Sequence, residues 1–106
     1  MSLDSEHCVV MTTCASAADA ARLAQGLVKD GLAACVQVTG VSSYYTWQGR
    51  VAEDYERLLL IKTRAARYPD VEAFIREHHD YEVPEVVCVP IKAGLPAYLE
   101  WIDGCT

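Results

Sequence analysis

The chain has 106 residues, of which 52% are hydrophobic and four are prolines, a size and composition that predict one small globular domain spanning 1–106. Nine basic against fifteen acidic residues give a formal net charge of -6 with no basic cluster, which argues against a nucleic-acid partner. The longest uncharged apolar stretches, such as Cys8–Thr13, are much shorter than the ~20 residues of a membrane-spanning helix. We therefore expect neither a nucleic-acid nor a membrane partner.

The first seven residues, 1–7, are polar and acidic. They lack the basic start, the apolar run and the small-residue cleavage site of a secretory signal. We therefore expect a flexible tail over 1–7 and a cytoplasmic location.

In chain order, the β-branched run Cys8–Thr13 predicts a buried strand. Ser16 followed three residues later by Asp19 forms a capping pattern that predicts the start of a helix. Apolar residues then recur at helical spacing to Leu27, and Gly31 is placed as the C-cap.

A second strand is predicted from Ala33 to Thr39, with extended chain continuing through Tyr45. Gly49 marks a tight turn, after which Glu56–Thr63 returns as a strand, so the two form a long hairpin. A second helix is expected after Pro69, a fourth strand over Val86–Ile91 and a short final helix after Pro96.

The order β-α-β-β-α-β predicts an α+β fold of the ferredoxin-like, split βαβ kind, with both long helices on one face of a four-stranded antiparallel sheet. Several strands are apolar at successive positions, so both sheet faces are expected to be apolar. A large uncovered apolar face is uncommon on a monomer, and we therefore predict a homo-oligomer.

Five cysteines form an odd count without a C-x-x-C pair, which argues against a disulfide framework or a structural zinc finger. Cys8, Cys35 and Cys88 lie in apolar stretches and are expected to be small core residues. Cys14 directly follows the first strand, and we expect its thiol to be exposed. It is either a soft metal ligand or an idle loop thiol near a helix N-terminus.

The segment Glu77–Glu85 holds two imidazoles and four carboxylates within nine residues, at a helix-to-strand junction. Imidazole and carboxylate together suit copper or zinc. His78 and His79 alternatively end a helix, where a cationic side chain complements the dipole. Glu85 is either a strand-edge charge or a group that reaches the histidines.

No nucleophile elbow, phosphate-binding loop or zinc-protease motif is present, so no catalytic residue is predicted. The aromatic residues Tyr44, Tyr45 and Trp47 on the hairpin form either a ligand-stacking platform or, as we favour, interface anchors.

Five stretches, taken in order, resemble the CutA family of divalent-cation tolerance proteins. They are Leu32-Ala33-Ala34-Cys35-Val36, Ser43-x-Tyr45-x-Trp47-x-Gly49-Arg50, Leu60-Ile61-Lys62-Thr63, His78-His79-x-Tyr81-x-Val83-Pro84-Glu85 and Tyr98-Leu99-x-Trp101-Ile102.

The resemblance implies a homotrimer of ferredoxin-like subunits, similar in architecture to the PII signalling proteins, and tolerance of divalent cations with copper binding. It implies His78, His79 and Glu85 as site residues. The chain departs from the family at Thr12, where some members have Cys, and at Asp80, where Pro is common. Cys14 lies two residues after Thr12, on the same face of an extended strand.

We therefore predict a trimeric, cytoplasmic, non-enzymatic protein that binds Cu(II) or another divalent metal ion through His78, His79, Glu85 and Cys14. The metal is not expected to be needed for folding. The alternative is a PII-like signalling or assembly scaffold that binds a small metabolite or a partner protein in clefts between subunits. In that alternative, Lys62 and Arg64 would bind an anion and the hairpin aromatics would stack on it.

Overall fold

The computed structural model describes residues 5–106. Its elements are β1 (His7–Cys14), α1 (Ala17–Lys29), β2 (Cys35–Trp47), β3 (Arg50–Arg64), α2 (Tyr68–His78), β4 (Val87–Pro90) and α3 (Pro96–Cys105), with a 3-10 turn at Ala65–Arg67. The strands form one antiparallel sheet in the order β2-β3-β1-β4. The predicted α+β, ferredoxin-like fold is confirmed. Within the described range, no helix is long and apolar enough to cross a membrane.

The core lies between the sheet and the two long helices. In β1 the residues at alternate positions from Cys8 to Cys14 are fully buried and face α1 and α2. The helices contribute Leu23, Leu27, Val71 and Ile75 to the same cluster. Ser16 caps α1 as predicted, because its hydroxyl accepts a hydrogen bond of 3.1 Å from the Asp19 N–H.

β1 begins one residue before the predicted strand and ends one residue after it. Residues 1–4 of the predicted flexible tail lie outside the described residues, and His7 is already part of the sheet. Its Nε2 lies 2.8 Å from Asp103 Oδ1 in α3. This contact holds the start of β1 against the C-terminal helix.

The second face of the sheet is covered at one end by α3. Ile102 is fully buried there, and Lys62 Nζ lies 5.6 Å from the centre of the Tyr98 ring. The rest of this face leaves Val87 and Val89 of β4 each 45% exposed. The predicted apolar second face is therefore present, and α3 covers only part of it.

The β2-β3 hairpin extends beyond this core, and the molecule measures 44 Å along its longest axis. Gln48 and Gly49 at its tip have φ of 50° and 75°, the left-handed pair that a two-residue hairpin turn requires. The arm carries strongly exposed aromatic side chains, namely Tyr44, Trp47 and Tyr55.

Candidate functional site

A small cavity of about 10 Å³ lies where β1 ends, beneath the end of α2. This volume is close to that of a single water-sized species. Its lining includes three of the four predicted metal ligands, Cys14, His78 and His79, together with the carboxylates Asp19 and Asp80. The fold thus gathers most of the predicted ligand set around one point.

Cys14 is buried, with 1% of its surface exposed, so the prediction of an exposed thiol is wrong. The reason is that β1 continues through Cys14, whose alternation with Val10 and Thr12 turns its side chain toward the helices. Burial, reinforced by the nearby Asp19 carboxylate, raises the pKa of the Cys14 thiol to about 11. The thiol is therefore protonated at neutral pH.

His79 contacts the end of β1 through Nε2 and the loop after α2 through Nδ1. α2 ends at His78, and His79 has an extended backbone, so its side chain leaves the helix direction. The Tyr81 N–H donates a 3.0 Å hydrogen bond to Nδ1, which leaves the proton on Nε2 to be donated over 2.6 Å to the Thr13 carbonyl. Cys14 Sγ lies 4.0 Å from the same Nε2.

His78 remains part of the helix. Its Nδ1 donates over 2.9 Å to the Phe74 carbonyl, and its ring stacks on the Phe74 ring with centroids 4.2 Å apart. A donating Nδ1 leaves Nε2 as the nitrogen with an available lone pair. Because α2 ends at His78, the two adjacent histidines make different contacts.

The two carboxylates at this cavity, Asp19 and Asp80, both lie close to the guanidinium group of Arg22. Arg22 Nη1 lies 3.0 Å from Asp19 Oδ1, and Nη2 lies 4.0 Å from Asp80 Oδ2. The hydrogen bonds from Ser16 and Arg22 lower the pKa of Asp19. Asp19 is thus an ionised carboxylate beside the cavity.

The donor types fit a borderline or soft metal ion, since thiolate, imidazole and carboxylate all bind copper and zinc. Within residues 5–106, however, no three of the His, Cys, Asp and Glu side chains are placed to hold one ion. Binding through Nε2 would require a proton to leave Cys14 and the His79 proton to move from Nε2 to Nδ1, which breaks the hydrogen bonds to the Thr13 carbonyl and from the Tyr81 N–H.

Glu85 lies elsewhere, in a groove of about 540 Å³ on the second face of the sheet. The lining combines the hairpin, the end of β1 and the loop between α2 and β4: Thr13, Tyr45, Trp47, Asp54, Glu56, Tyr81, Glu82, Val83 and Glu85. Tyr81 lines both this groove and the small cavity. Among the predicted ligands, Glu85 is the one that the fold does not bring to the cavity.

Sequence reasoning did not single out Asp54 and Glu56, which form the acidic floor of the groove. Tyr45 donates a hydrogen bond to Asp54, and this bond raises the pKa of the Tyr45 hydroxyl. Tyr81 Oη donates over 2.8 Å to Glu56 Oε2. The available signal was the period-two spacing of Asp54 and Glu56, which pair with Ser43 and Val41 and so lie on the same sheet face as Tyr45.

The two basic residues that the alternative function placed beside the hairpin aromatics are not in the groove. Lys62 lies beside Tyr98, and Arg64 donates hydrogen bonds to the hydroxyl and carbonyl of Thr106. The groove residues therefore include carboxylates and aromatic rings without a Lys or Arg. Its charge does not suit an anionic ligand.

Comparisons with known proteins agree with this architecture. The CutA1 divalent ion tolerance protein family model matches residues 8–105. The chain is 43% identical over 95 residues to the divalent-cation tolerance protein CutA of Thermus thermophilus, covering 89% of this chain and 92% of the relative.

The chain is also 43% identical over 86 residues to the chloroplastic protein CutA 1 of Oryza sativa, covering 80% of this chain and 49% of the relative. It thus spans about half the length of that plant relative. The crystal structure of CutA1 from Shewanella sp. SIB1 is similar with a TM-score of 0.94 and 37% identity, covering 98% of each chain. This chain belongs to the CutA1 divalent ion tolerance protein family.

Proposed function

We propose that this protein is a homotrimeric, cytoplasmic divalent-cation tolerance protein that binds Cu(II) or a similar metal ion without catalysing a reaction. The observation that carries the proposal is the convergence of Cys14, His78 and His79 on one cavity of about 10 Å³. A space of this size suits an ion rather than an organic ligand.

In this proposal Cys14 and His79 are the first ligands, because their Sγ and Nε2 atoms are already 4.0 Å apart. His78 and Asp80 line the same cavity, and one of them would have to move inward to serve as a third donor. Glu85 lies in the groove and is left out of the cavity site. Arg22 forms an ion pair with Asp19, so the charge of that carboxylate is already offset and Asp19 is not counted among the ligands.

Association of subunits is supported by the surface that a single subunit leaves uncovered, and the number three comes from the family resemblance. Val87 and Val89 are half-exposed on the second sheet face, and Tyr44, Trp47 and Tyr55 of the hairpin are more exposed still. The long outer edge of β2 is a further surface for association, since its backbone groups pair with β3 on one side only. The cysteines of residues 5–106 are all free thiols, which supports a reducing compartment.

Native mass spectrometry with one equivalent of Cu(II) per chain tests assembly and stoichiometry together. We expect a trimer that takes up about one copper per subunit. The variants Cys14→Ser and His79→Gln should lose the metal, whereas Glu85→Gln should retain it. A trimer that binds copper equally in all three variants would contradict the cavity site.

The groove supports a second candidate function, the binding of a small metabolite. Its volume of about 540 Å³ lies within the ~300–1,000 Å³ range of small-molecule sites. The sequence predicted an anionic ligand for this function. The carboxylates of the groove favour a cationic ligand instead, because the basic residues that would bind an anion lie at the other end of the sheet.

A further inference from the structure

The groove carries a strong charge of one sign. Its lining includes Asp54, Glu56, Glu82 and Glu85, and no Lys or Arg is among its lining residues. Three aromatic side chains, Tyr45, Trp47 and Tyr81, line it as well. Aromatic faces and carboxylates both attract cations, the first through the ring quadrupole and the second through charge.

Glu56 is the residue that makes the groove more than an acidic surface. It is only 8% exposed, and in the part of the chain that the structure describes no Lys, Arg or His forms an ion pair with it. The Tyr81 hydroxyl is its neutral hydrogen-bond donor. Buried carboxylates are rarely left without a cationic partner, because desolvation of the charge is costly. Within residues 5–106, therefore, this subunit supplies no positive group to Glu56.

The other groove residues indicate what kind of cation fits. Trp47 is 62% exposed and lies with Tyr45 on the hairpin arm, an arrangement that offers apolar contact area beside the charge. A bare metal ion would leave most of the 540 Å³ unfilled. Thiol and imidazole groups do not line the groove, so the soft donors that would select copper are missing there.

We propose that this groove binds a small organic cation, an ammonium or guanidinium compound with an apolar body, with Glu56 as its buried counter-charge. Tyr45, Trp47 and Tyr81 form the aromatic wall, and the remaining carboxylates attract the ligand from solvent. The proposal rests on the second candidate function and names its ligand class. Its ligand-binding side chains differ from those of the copper cavity, which uses Cys14 and the histidines, and Tyr81 lies between the two sites.

The test is calorimetric titration of the assembled protein with three probes that share one body: 2-phenylethylammonium, 2-phenylethylguanidinium and uncharged 2-phenylethanol. We expect both cations to bind and the alcohol to bind at least tenfold more weakly. The tighter cation identifies the preferred head group. High salt should weaken both cations, because the surrounding carboxylates are screened.

Two variants locate the site. Glu56→Gln keeps the shape and the bond from Tyr81 while removing the charge, and it should weaken cation binding at least tenfold. Trp47→Leu removes an exposed indole from the aromatic wall and should weaken binding severalfold, with native mass spectra showing whether the variant still assembles. Glu100→Gln is the matched control, since it removes one exposed carboxylate on α3 and should leave binding unchanged.

Equal binding of the alcohol, or unchanged affinity in Glu56→Gln, would overturn the proposal. So would a wild-type protein that binds no probe. If, in that case, Glu56→Gln also dissociates the trimer in native mass spectra, the missing cation is a side chain of the neighbouring subunit. Copper uptake is recorded on Trp47→Leu, whose residue does not line the cavity, and should not change there, so failure of one site is distinguishable from failure of the other.

Discussion

Cys14 Sγ lies 4.0 Å from His79 Nε2, and the same nitrogen donates its proton to the Thr13 carbonyl. This thiol and this imidazole are 65 residues apart in the chain, at the end of β1 and just beyond α2. Their meeting point is the wall of the small cavity. A metal ion bound there would displace the thiol proton.

The first prediction concerns this proton. Cys14 has a pKa of about 11, so metal binding at pH 7 should release about one proton per ion and its affinity should rise about tenfold per pH unit. Titration of Zn(II), which is redox-inert, into weakly buffered protein measures the release. The Cys105→Ser background removes an exposed thiol that could otherwise bind the ion. Metal binding without proton release would contradict a thiolate ligand.

The second prediction concerns Thr12, where the chain departs from some family members. Its hydroxyl is fully buried and has no hydrogen-bond partner in the described part of the chain. Thr12→Val replaces that hydroxyl by a methyl group of similar shape. We expect a gain of about 1 kcal/mol in the free energy of unfolding, because an unsatisfied buried polar group is removed.

Thr63 provides the matched control for Thr12. It is equally buried, but its Oγ1 donates a 2.7 Å hydrogen bond to the Leu32 carbonyl. Thr63→Val should therefore lower the free energy of unfolding by ~1 kcal/mol or more. Urea denaturation of both variants measures the two changes. If both variants change the free energy of unfolding in the same direction, the hydrogen bonding of the threonine hydroxyl does not decide the change in stability.

The third prediction concerns alkaline pH. Burial raises the pKa of Cys14 from 9.0 to about 11, so between these values the folded protein holds a proton that the unfolded chain has lost. The stability contribution of the buried thiol is fully present below pH 9 and is lost as the pH rises toward 11. The expected loss is about 2–3 kcal/mol.

Urea denaturation at several pH values between 8 and 11 checks this loss. Cys14→Ala should flatten part of the pH dependence, although the buried Cys8, with its pKa raised to about 12, keeps a similar contribution. Cys105→Ala should not alter the curve, because Cys105 is exposed. If the free energy of unfolding of Cys14→Ala depends on pH as steeply as that of the wild type, the raised pKa of Cys14 is not the cause.

The fold was predictable from the sequence because its signals are local. The cap at Ser16, the turn at Gly49 and the alternation of apolar runs with helical spacing each fix one element without reference to the others. The burial of Cys14 was not predictable, since one additional residue of β1 decides whether its side chain faces the helices or solvent.

The candidate site was predictable only in part for the same reason. His78 and His79 are adjacent in sequence, but the point at which α2 ends decides that one ring stacks on Phe74 and the other reaches β1. The separation of Glu85 from the histidines depends on the path of the loop after Tyr81. Glu56 gains its importance from burial, which no local pattern reports.

The last prediction concerns the surface that we propose to join the subunits. Val87 and Val89 in β4 lie on the second sheet face, paired with Met11 and Val9, and both are 45% exposed in a single chain. Replacing both by Asp would place two charges in the proposed interface. We expect the trimer to dissociate at micromolar concentration, because buried charges without partners are strongly unfavourable.

Sedimentation velocity measures the assembly directly. Val28→Asp is the matched control, since Val28 is 46% exposed but lies on α1, in the helix layer on the other side of the sheet. That variant should remain trimeric. If the Val87→Asp/Val89→Asp protein stays trimeric while remaining folded by circular dichroism, the second face is not the interface and the subunits associate through the hairpin arm or the edge of β2 instead.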